Sequence, residues 1–289
     1  MLSVVIPAFN EGNAIQQTVE NIRHVLEGAN LMPNEIVVVD DGSIDATGDL
    51  ALQSGAVVIR HPHNLGYGAA LKTGILRAQF DSIVITDSDG TYPISEIPNL
   101  YKKYLEGFDM VVGARQGVVY KGSYIKWPLR ILLRFLVEWT AGRKIPDINS
   151  GLRIFSKKTI TNYFSRLCNT FSFTTSATLA YMMTGRFVAY MPINYADRIG
   201  SSHVRLWRDS LRTLQFIVQA VTYYNPLKIF ILLAGICLAG ASISLFVALI
   251  FHIATGFVMS VMLISCAILI FSLGLLADLL RQIMSQRND

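Results

Sequence analysis

Apolar residues are grouped in short blocks along the first two thirds of the chain, and polar turns separate the blocks. The blocks that are rich in Val and Ile occupy residues 2–6, 35–39, 56–60, 82–86 and 109–113. They lack regular polar alternation, which is typical of strands buried on both faces. Helical stretches, from Asn10 to about Leu26 and from Gly68 to Gln79, separate some of them. The pattern predicts an α/β fold, a mostly parallel sheet with helices on both faces.

The turn after the first strand argues against one class of α/β protein. A dinucleotide-binding fold needs Gly-x-Gly-x-x-Gly at this point, whereas the chain has Pro7-Ala8-Phe9-Asn10-Glu11. Gly66-Tyr67-Gly68 is a fragment of that motif, but it follows the third strand. We interpret it as a tight turn before a helix, with direct phosphate contact as the alternative.

The C-terminal part is apolar over two long stretches. Residues 229–251 and 253–277 contain no charged side chain, and each stretch exceeds the roughly 20 residues that cross a bilayer as a helix. We predict a transmembrane hairpin, with a connection at 252–257. Buried core helices are the alternative, which the lack of a polar face disfavours.

Composition and charge fit a membrane protein. Hydrophobic residues make up 52% of the chain and charged residues 16%, against about 25% charged in a typical soluble domain. The net charge of +5 therefore favours an anionic membrane face over nucleic acid. Three scattered cysteines are too few for a disulfide framework or a zinc site.

Basic residues predict the orientation of the hairpin. They flank both spans and are absent from the connection, and they are Arg205, Arg208, Arg212, Lys228, Arg281 and Arg287. Because positive charge stays on the cytoplasmic side, we expect a multi-pass protein of the inner or plasma membrane. Its active site would face the cytoplasm, and nothing at the N-terminus has the pattern of a signal peptide.

Carboxylates follow two of the predicted strands. Asp40-Asp41 ends the second strand and Asp87-Ser88-Asp89 ends the fourth. Ligands of parallel sheets bind at these strand ends, so both pairs should border one crevice. Two carboxylates this close repel each other unless a cation lies between them, and Mg²⁺ or Mn²⁺ with substrate phosphates suits such a pair. A solvated acidic turn is the alternative.

Five ordered motifs resemble those of family 2 glycosyltransferases. They are Val5-Ile6-Pro7-Ala8-Phe9-Asn10-Glu11, Val38-Val39-Asp40-Asp41-Gly42-Ser43, Asp87-Ser88-Asp89-Gly90-Thr91-Tyr92-Pro93, Gly113-Ala114-Arg115 and Asn149-Ser150-Gly151-Leu152-Arg153. Within that family the chain is most similar to the polyprenyl-phosphate glycosyltransferases, the group of dolichyl-phosphate mannose and glucose synthases. The resemblance covers about residues 2–203. It implies a Rossmann-like GT-A fold and a UDP- or GDP-sugar donor.

The resemblance also implies roles for individual residues. The donor nucleotide would be held by Pro7, Phe9, Glu11, Val39, Asp41, Asp87, Ser88 and Asp89. The Mg²⁺ or Mn²⁺ ion would be held by Asp87, Asp89 and Thr91, where Thr91 replaces the family's frequent Gln. The catalytic set would be Asp87, Asp89, Arg115 and Arg198, and Arg198 would close over the diphosphate.

The acceptor phosphate would be held by Arg115, Arg130, Arg134 and His203. Arg130 and Arg134 lie on a basic, aromatic segment, and Arg pairs with phosphate in a two-pronged fork. They could instead touch lipid headgroups or pair with Glu138. His203 stands where the family usually has Lys, and a surface position is its alternative.

Three more side chains have two interpretations each. Asp147 and Arg153 could shape the acceptor side, or they could pair with each other to fix a loop. Glu11 could be a helix-start carboxylate that the helix dipole favours.

We predict four segments along the chain. They are a catalytic domain at 1–203 that includes an interfacial helix region at 124–141, an amphipathic juxtamembrane helix at 204–225, two transmembrane helices at 226–280, and a cytoplasmic tail at 281–289.

The expected reaction is inverting transfer of a sugar to a polyprenyl phosphate. We expect a nucleotide-sugar donor, a lipid acceptor, the membrane and other copies of the chain, as a dimer or tetramer, to be the partners, without nucleic acid. A catalytically silent scaffold and a transferase with a sugar-hydroxyl acceptor remain alternatives. A processive synthase would carry Gln-x-x-Arg-Trp, which does not occur in the chain.

Overall fold

A computed structural model of the chain describes residues 1–116, 141–195 and 221–286, together with residues 135, 138, 139, 215, 218 and 219. The chain divides into two compact units, Met1–Ile217 and Val218–Asp289. The predicted interfacial region at 124–141 and the predicted juxtamembrane helix at 204–225 lie largely outside the described residues. The segment boundaries therefore stay predictions.

The described part of the first unit contains one seven-stranded sheet in the order β3-β2-β1-β4-β6-β5-β7. The strands are β1 Leu2–Ala8, β2 Asn34–Asp40, β3 Val57–Arg60, β4 Ser82–Ile85, β5 Met110–Gln116, β6 Arg153–Ser156 and β7 Val188–Asn194. All pairings are parallel except those of β6, which runs antiparallel to β4 and β5. The predicted α/β class with a mostly parallel sheet is confirmed.

Helices cover both faces of this sheet. They are α1 Ile15–Gly28, α2 Thr47–Gln53, α3 Tyr67–Arg77, α4 Ile97–Tyr104, α5 Lys157–Thr161 and α6 Phe173–Met183, with a 3₁₀ turn at Ile94–Glu96 before α4. Alternate residues of β1 point to opposite faces. Val4 lies in the buried cluster that α1 joins through Val19. Val5 lies beneath α3, where a methyl group on Gly74 would come within 2.4 Å of its Cγ1 atom.

Helix α1 begins later than its sequence pattern predicts. The prediction placed its start at Asn10, but the helix starts at Ile15. Asn10 has a positive φ of 55°, which no α-helix accepts. Its backbone N–H instead donates to the Ser43 hydroxyl, so these residues belong to a loop that continues the sheet edge.

The second unit is a pair of apolar helices, α7 Pro226–Phe251 and α8 Ala254–Gln286. Pro226–Phe251 and Ala254–Met284 both reach a mean hydropathy of 2.5, and 11% and 17% of their most apolar stretches are buried. By length and composition both helices could cross a membrane. Their exposure argues against the alternative of core helices in a soluble protein.

The connection in the hairpin is shorter than predicted. The prediction placed it at 252–257, but α8 already starts at Ala254. His252 ends α7 in the left-handed region with a φ of 51°. The turn can be this tight because Gly256 comes directly against Ala248, where a methyl group on Gly256 would lie 2.7 Å from the Ala248 Cβ atom.

Small residues let α7 and α8 pack closely. Ala234, Ala241 and Ala248 recur every seven positions on α7 and are 7%, 3% and 0% exposed. A methyl group on Gly274 of α8 would lie 2.5 Å from the Cβ atom of Phe230. Small residues of this kind let helix backbones approach each other in a bilayer.

Candidate active site

The carboxyl ends of β1, β2 and β4 lie side by side at one edge of the sheet. Ala8 of β1 pairs with Asp40 of β2, and Val5 pairs with Ile85 of β4. The loops that follow these strands contain most of the predicted donor and metal residues. The topology therefore brings the two acidic strand ends to the same edge of the sheet, on either side of β1, and the crevice between them stays a prediction.

Hydrogen bonds tie the loop after β1 to the loop after β2. They run from Asn10 N to Ser43 Oγ (2.9 Å), from Ile44 N to Asn10 Oδ1 (2.9 Å), from Glu11 N to Thr47 Oγ1 (2.8 Å) and from Gly12 N to Asp45 Oδ2 (3.1 Å). The backbone that carries Phe9 and Glu11 is thereby fixed before any ligand arrives. Glu11 stands just before α1, and its backbone carbonyl oxygen accepts the N–H groups of Ala14 and Ile15, so the donor and helix-start interpretations of Glu11 both stay predictions.

Asp45 gains a lowered pKa from this loop. Burial acts to raise the pKa of Asp45, but hydrogen bonds from the Thr47 hydroxyl, the Thr47 N–H and the Gly12 N–H outweigh it. The Asp45 carboxylate therefore stays ionised at pH values below the usual pKa of an aspartate.

Asp41 is a buried carboxylate that holds the loop before α3 through hydrogen bonds. Its side chain is 3% exposed and accepts hydrogen bonds from Leu65 N (3.0 Å) and Gly66 N (2.8 Å). His61 Nδ1 lies 2.6 Å from Asp41 Oδ1, and its other ring nitrogen lies 3.0 Å from Thr73 Oγ1. The predicted contact of Asp41 with the donor stays a prediction, since these bonds show a structural task.

The Gly66-Tyr67-Gly68 stretch is the beginning of α3 rather than a separate turn before it: Gly66 is the N-cap, and Tyr67 and Gly68 are the first two helical residues. Gly66 has a φ of +105°, and a methyl group on it would lie 2.7 Å from the Asn169 carbonyl oxygen. A methyl group on Gly68 would lie 2.2 Å from the Cys168 carbonyl oxygen. Only glycine fits at either position, because backbone occupies the space that a side chain needs.

Asp89 is a buried carboxylate at the end of β4. It is 5% exposed, and its Oδ1 atom accepts the backbone N–H of Thr91 (3.1 Å) and the Thr91 hydroxyl (2.6 Å). Thr91 is itself fully buried. The structure thus shows Thr91 as a support for Asp89, while its predicted part as a metal ligand stays a prediction.

Asp87 is half-buried and contacts two elements distant in sequence. Its Oδ1 atom accepts the hydroxyl of Tyr67 at 2.9 Å. A methyl group on Gly151 would lie 2.8 and 2.9 Å from its two carboxylate oxygens. The backbone N–H of Gly151 in turn donates to the hydroxyl of Tyr92 at 2.7 Å. A side chain at position 151 would therefore have to displace the Asp87 carboxylate.

Both tyrosines keep their protons near this carboxylate. Burial, and then the charge of Asp87, raise the pKa of Tyr67 well above its usual value. The same two causes raise the pKa of Tyr92. A phenol that stays protonated is a permanent hydrogen-bond donor, so the Tyr67–Asp87 contact persists across the physiological range of pH.

Arg115 pairs with Asp147 in a two-pronged ion pair. Its Nε and Nη2 atoms lie 2.7 and 2.9 Å from the two Asp147 oxygens, and its backbone N–H donates to the same carboxylate at 3.1 Å. The guanidinium also lies over the Tyr195 ring, 5.3 Å from its centroid. This pairing corrects the hypothesis that Asp147 and Arg153 pair with each other. The predicted phosphate contact of Arg115 stays a prediction.

Arg153 is fully buried and binds backbone oxygens rather than a carboxylate. It donates to the carbonyls of Ser150 (2.7 Å), Ile148 (2.7 Å) and Thr174 (3.0 Å), and to the Thr178 hydroxyl (2.6 Å). Burial lowers its pKa. Arg153 thereby links the 148–150 loop to α6, and this loop leads into Gly151 beneath Asp87.

The other predicted residues fall into two groups. Pro7 and Val39 are buried partners across β1 and β2, and Ser88 is 4% exposed; their predicted donor contacts remain predictions. Arg130, Arg134, Arg198 and His203 lie outside the described residues. Tyr67, Tyr92 and Gly151 received no role from the sequence, although each stands inside a stretch quoted above.

The donor set suits a cation that shares its ligands with a substrate. Within the described ranges, no group of three His, Cys, Asp or Glu side chains could hold a metal. Asp87 and Asp89 supply two carboxylates, one of them buried. Mg²⁺ and Mn²⁺ are commonly held by one or two carboxylates with water and substrate phosphates, so the residues fit such an ion.

Comparison with known proteins agrees with this fold. A family model described as "Glycosyl transferase family 2" matches residues 3–172. The chain also superimposes on a crystal structure of glucosyl-3-phosphoglycerate synthase from Mycobacterium tuberculosis in complex with Mn²⁺, uridine-diphosphate and phosphoglyceric acid. The TM-score is 0.64 at 21% identity, and the match covers 76% of this chain and 78% of that chain. That likeness confirms the expected GT-A-like fold.

Two curated relatives come from Haloferax volcanii. The chain is 31% identical over 228 residues to the low-salt glycan biosynthesis hexosyltransferase Agl6, which covers 75% of this chain and 53% of that protein. It is 28% identical over 205 residues to a dolichyl-phosphate hexose transferase, which covers 70% of this chain and 85% of that protein. The chain therefore spans about half the length of the first relative and most of the second.

Proposed function

We propose, on the premise that the chain belongs to glycosyl transferase family 2, that it moves a sugar from a nucleoside-diphosphate donor to a polyprenyl phosphate. The observation that carries the proposal is the acidic end of β4, where Asp87 and Asp89 lie beside the loops of β1 and β2. The donor would be a UDP- or GDP-sugar. The polyprenyl acceptor is supported by the dolichyl-phosphate hexose transferase among the relatives.

The loops of β1 and β2 would hold the nucleoside. Hydrogen bonds between them fix the backbone at Phe9 and Glu11, so the chain loses little conformational entropy when the donor binds. Pro7, Val39, Asp41 and Ser88 would complete this side, in contact with the donor or as its support.

Asp87 and Asp89 would hold a Mg²⁺ or Mn²⁺ ion against the donor diphosphate, with Thr91 beside them. Bound there, such an ion neutralises charge that develops on the leaving diphosphate. The chain supplies carboxylate oxygens that accept hydrogen bonds from Tyr67 and Thr91, and prepositioned groups of this kind need no reorganisation during reaction.

A phosphate acceptor removes the need for a general base. A sugar hydroxyl must lose a proton as it attacks, whereas a phosphate monoester with a second pKa near 6 is already mostly a dianion at pH 7. The chain then needs only to align the acceptor with the donor. Arg115, Arg130, Arg134, Arg198 and His203 would contribute positive charge, and attack from the face opposite the diphosphate would invert the anomeric carbon.

The two apolar helices are long and apolar enough to cross a membrane, which supports a membrane location. We propose a multi-pass arrangement with the catalytic unit at 1–203 on the cytoplasmic face, because basic residues flank both spans. The segments at 124–141 and 204–225 would lie at the interface. Dimers or tetramers would form through the hairpin, where α7 and α8 also present many exposed apolar side chains.

Incubation of membranes that contain the full chain with radiolabelled UDP- and GDP-sugars tests the proposal. The expected product is extracted into chloroform and releases its label in mild acid, since a sugar 1-phosphate linkage hydrolyses readily. Membranes without the chain are the control. Label that stays in water would indicate a soluble acceptor, and no incorporation from any donor would favour the scaffold alternative; either result contradicts the proposal.

A further inference from the structure

Tyr67 is not among the residues that would hold the donor, the ion or the acceptor, yet its hydroxyl contacts a residue of the proposed metal site. It is the first residue of α3 and reaches Asp87 Oδ1 at 2.9 Å. A phenol that donates to a carboxylate makes a charge-assisted hydrogen bond, which is stronger than a neutral one.

The Tyr67 ring is fixed on several sides. It stacks on Phe171 with ring centroids 5.6 Å apart and planes 17° apart. The preceding Gly66 is bound to Asp41, and the following Gly68 abuts the backbone of Cys168. The hydroxyl therefore has little freedom of position, so it can impose a geometry on its acceptor.

Asp87 has little space on its other side. A methyl group on Gly151 would lie 2.8 and 2.9 Å from its two carboxylate oxygens, and the backbone N–H of Gly151 donates to the Tyr92 hydroxyl. The last torsion of an aspartate is intrinsically broad. The Tyr67 hydroxyl on one oxygen and the nearby Gly151 on the other side of the carboxylate would restrict that torsion of Asp87.

We propose that Tyr67 is a positioning residue that sets the rotation of the Asp87 carboxylate and thereby the affinity of the site for a divalent cation. The inference rests on the proposed function, because it takes Asp87 as a metal ligand. Hydrogen-bond partners of metal-binding carboxylates commonly have this effect, and their loss lowers metal affinity by about 10- to 100-fold.

The matched substitution Tyr67→Phe removes one oxygen and keeps the ring on Phe171. Tyr163→Phe is the control, because it also removes one phenol oxygen and a hydrogen bond, to Thr184 Oγ1 at 2.8 Å, and Tyr163 is not among the proposed site residues. The full chain in detergent is titrated with Mn²⁺ in the presence of UDP or of GDP. The readout is the free Mn²⁺ signal in electron paramagnetic resonance, which requires no turnover.

We expect Tyr67→Phe to weaken nucleotide-dependent Mn²⁺ binding by about 10-fold or more, while Tyr163→Phe stays within about 2-fold of the unaltered chain. Binding of the nucleotide without metal should be equal in both variants, which shows that both are folded. Gly151→Ala displaces the same carboxylate from the other side and should also weaken Mn²⁺ binding; it decides the question if Tyr67→Phe does not fold.

Unchanged or tighter Mn²⁺ binding in Tyr67→Phe would overturn the inference, and so would equal weakening in Tyr163→Phe. Asp87→Asn separates this failure from failure of the function. If Asp87→Asn loses Mn²⁺ and Tyr67→Phe does not, only the role of Tyr67 is wrong. If the unaltered chain binds no Mn²⁺ with either nucleotide, or Asp87→Asn binds it normally, the metal site itself is wrong and the inference falls with it.

Discussion

The two units of the chain achieve order by different means. Around Asp87 and Arg153 the first unit fixes its geometry with directional hydrogen bonds between buried polar groups. In the second unit, α7 and α8 meet through small side chains and surfaces without charge. The order of the first unit depends on which polar atoms are present. The order of the second unit depends on the volume of each side chain. Substitutions that change chemistry should therefore damage the first unit, and substitutions that change volume should damage the second.

Asp89→Asn is the sharpest change of chemistry without change of shape. The amide retains an oxygen for the Thr91 donors, but the negative charge is lost. Loss of one preorganised electrostatic group costs about 10²- to 10³-fold in rate, so transfer from a labelled donor should fall by at least that factor. Asp49→Asn, at an aspartate whose side chain is 66% exposed, should keep full transfer. Near-normal transfer in Asp89→Asn would remove this residue from the proposed site.

Arg153→Met tests whether the polar network also stabilises the fold. It removes the Arg153 donor from the carbonyls of Ser150 and Ile148, whereas the Thr174 carbonyl keeps the Thr178 hydroxyl as a donor. Each buried unsatisfied group costs about 1–3 kcal/mol, so we expect the free energy of unfolding of the first unit to fall by about 2 kcal/mol or more, measured by urea denaturation in detergent. Arg186→Met removes an arginine that is 45% exposed and should cost less than about 1 kcal/mol. Similar losses in both variants would mean that the buried bonds contribute nothing special.

The sheet shows what local pattern can and cannot predict. Strands β1 to β5 were predicted because each is a short apolar block bounded by polar turns. Strand β6 was missed because it begins with Arg153, a charge that is buried only through partners up to 25 residues away. Strand β7 was missed because it is a half-buried edge strand that contains Pro192. Sequence pattern reports burial by apolar residues, so it fails where polar groups are buried.

The same limit applies to the candidate site. The acidic motifs that contain Asp87 and Asp89 were apparent, since their members are adjacent in sequence. Their supports were not, because Tyr67 lies 20 residues before Asp87 and Tyr92 lies 59 residues before Gly151. The partner of Asp147 was misassigned for the same reason: Arg115 lies 32 residues away, while the nearer Arg153 points elsewhere. Hydrogen bonds between distant segments follow from the fold and not from local spacing.

Gly274→Ala tests the dependence of the hairpin on volume. Its new methyl group would lie 2.5 Å from the Phe230 Cβ atom and 3.4 Å from Leu227 Cδ1, so the helices must separate. Overpacking of this kind costs about 1–3 kcal/mol. Gly235→Ala is the matched control, because nothing lies within 4 Å of its added methyl group, and it should be neutral or gain up to about 1 kcal/mol of helix propensity. Loss of helix on titration with sodium dodecyl sulfate is the measurement, and equal behaviour of the two alanines would contradict close packing at Gly274.

The smallest expected effect concerns Asp45. Its contribution to the free energy of unfolding depends on pH, and this dependence tests whether charge contributes to the order of the first unit. Because its pKa is lower in the folded chain than in the unfolded chain, its ionised form stabilises the loop after β2 at all pH values above its unfolded pKa, near 3.8. That contribution is lost as the pH falls through the lower pKa that Asp45 has in the folded chain. Below that pH the carboxyl group is protonated in both the folded and the unfolded chain. The group is exposed, so the contribution should stay below about 1 kcal/mol. Asp45→Asn should therefore lower the free energy of unfolding slightly at pH 7 and converge with the unaltered chain as the pH falls below about 4. A difference that persists undiminished at the lowest pH would mean that Asp45 acts through packing or through its backbone rather than through its charge.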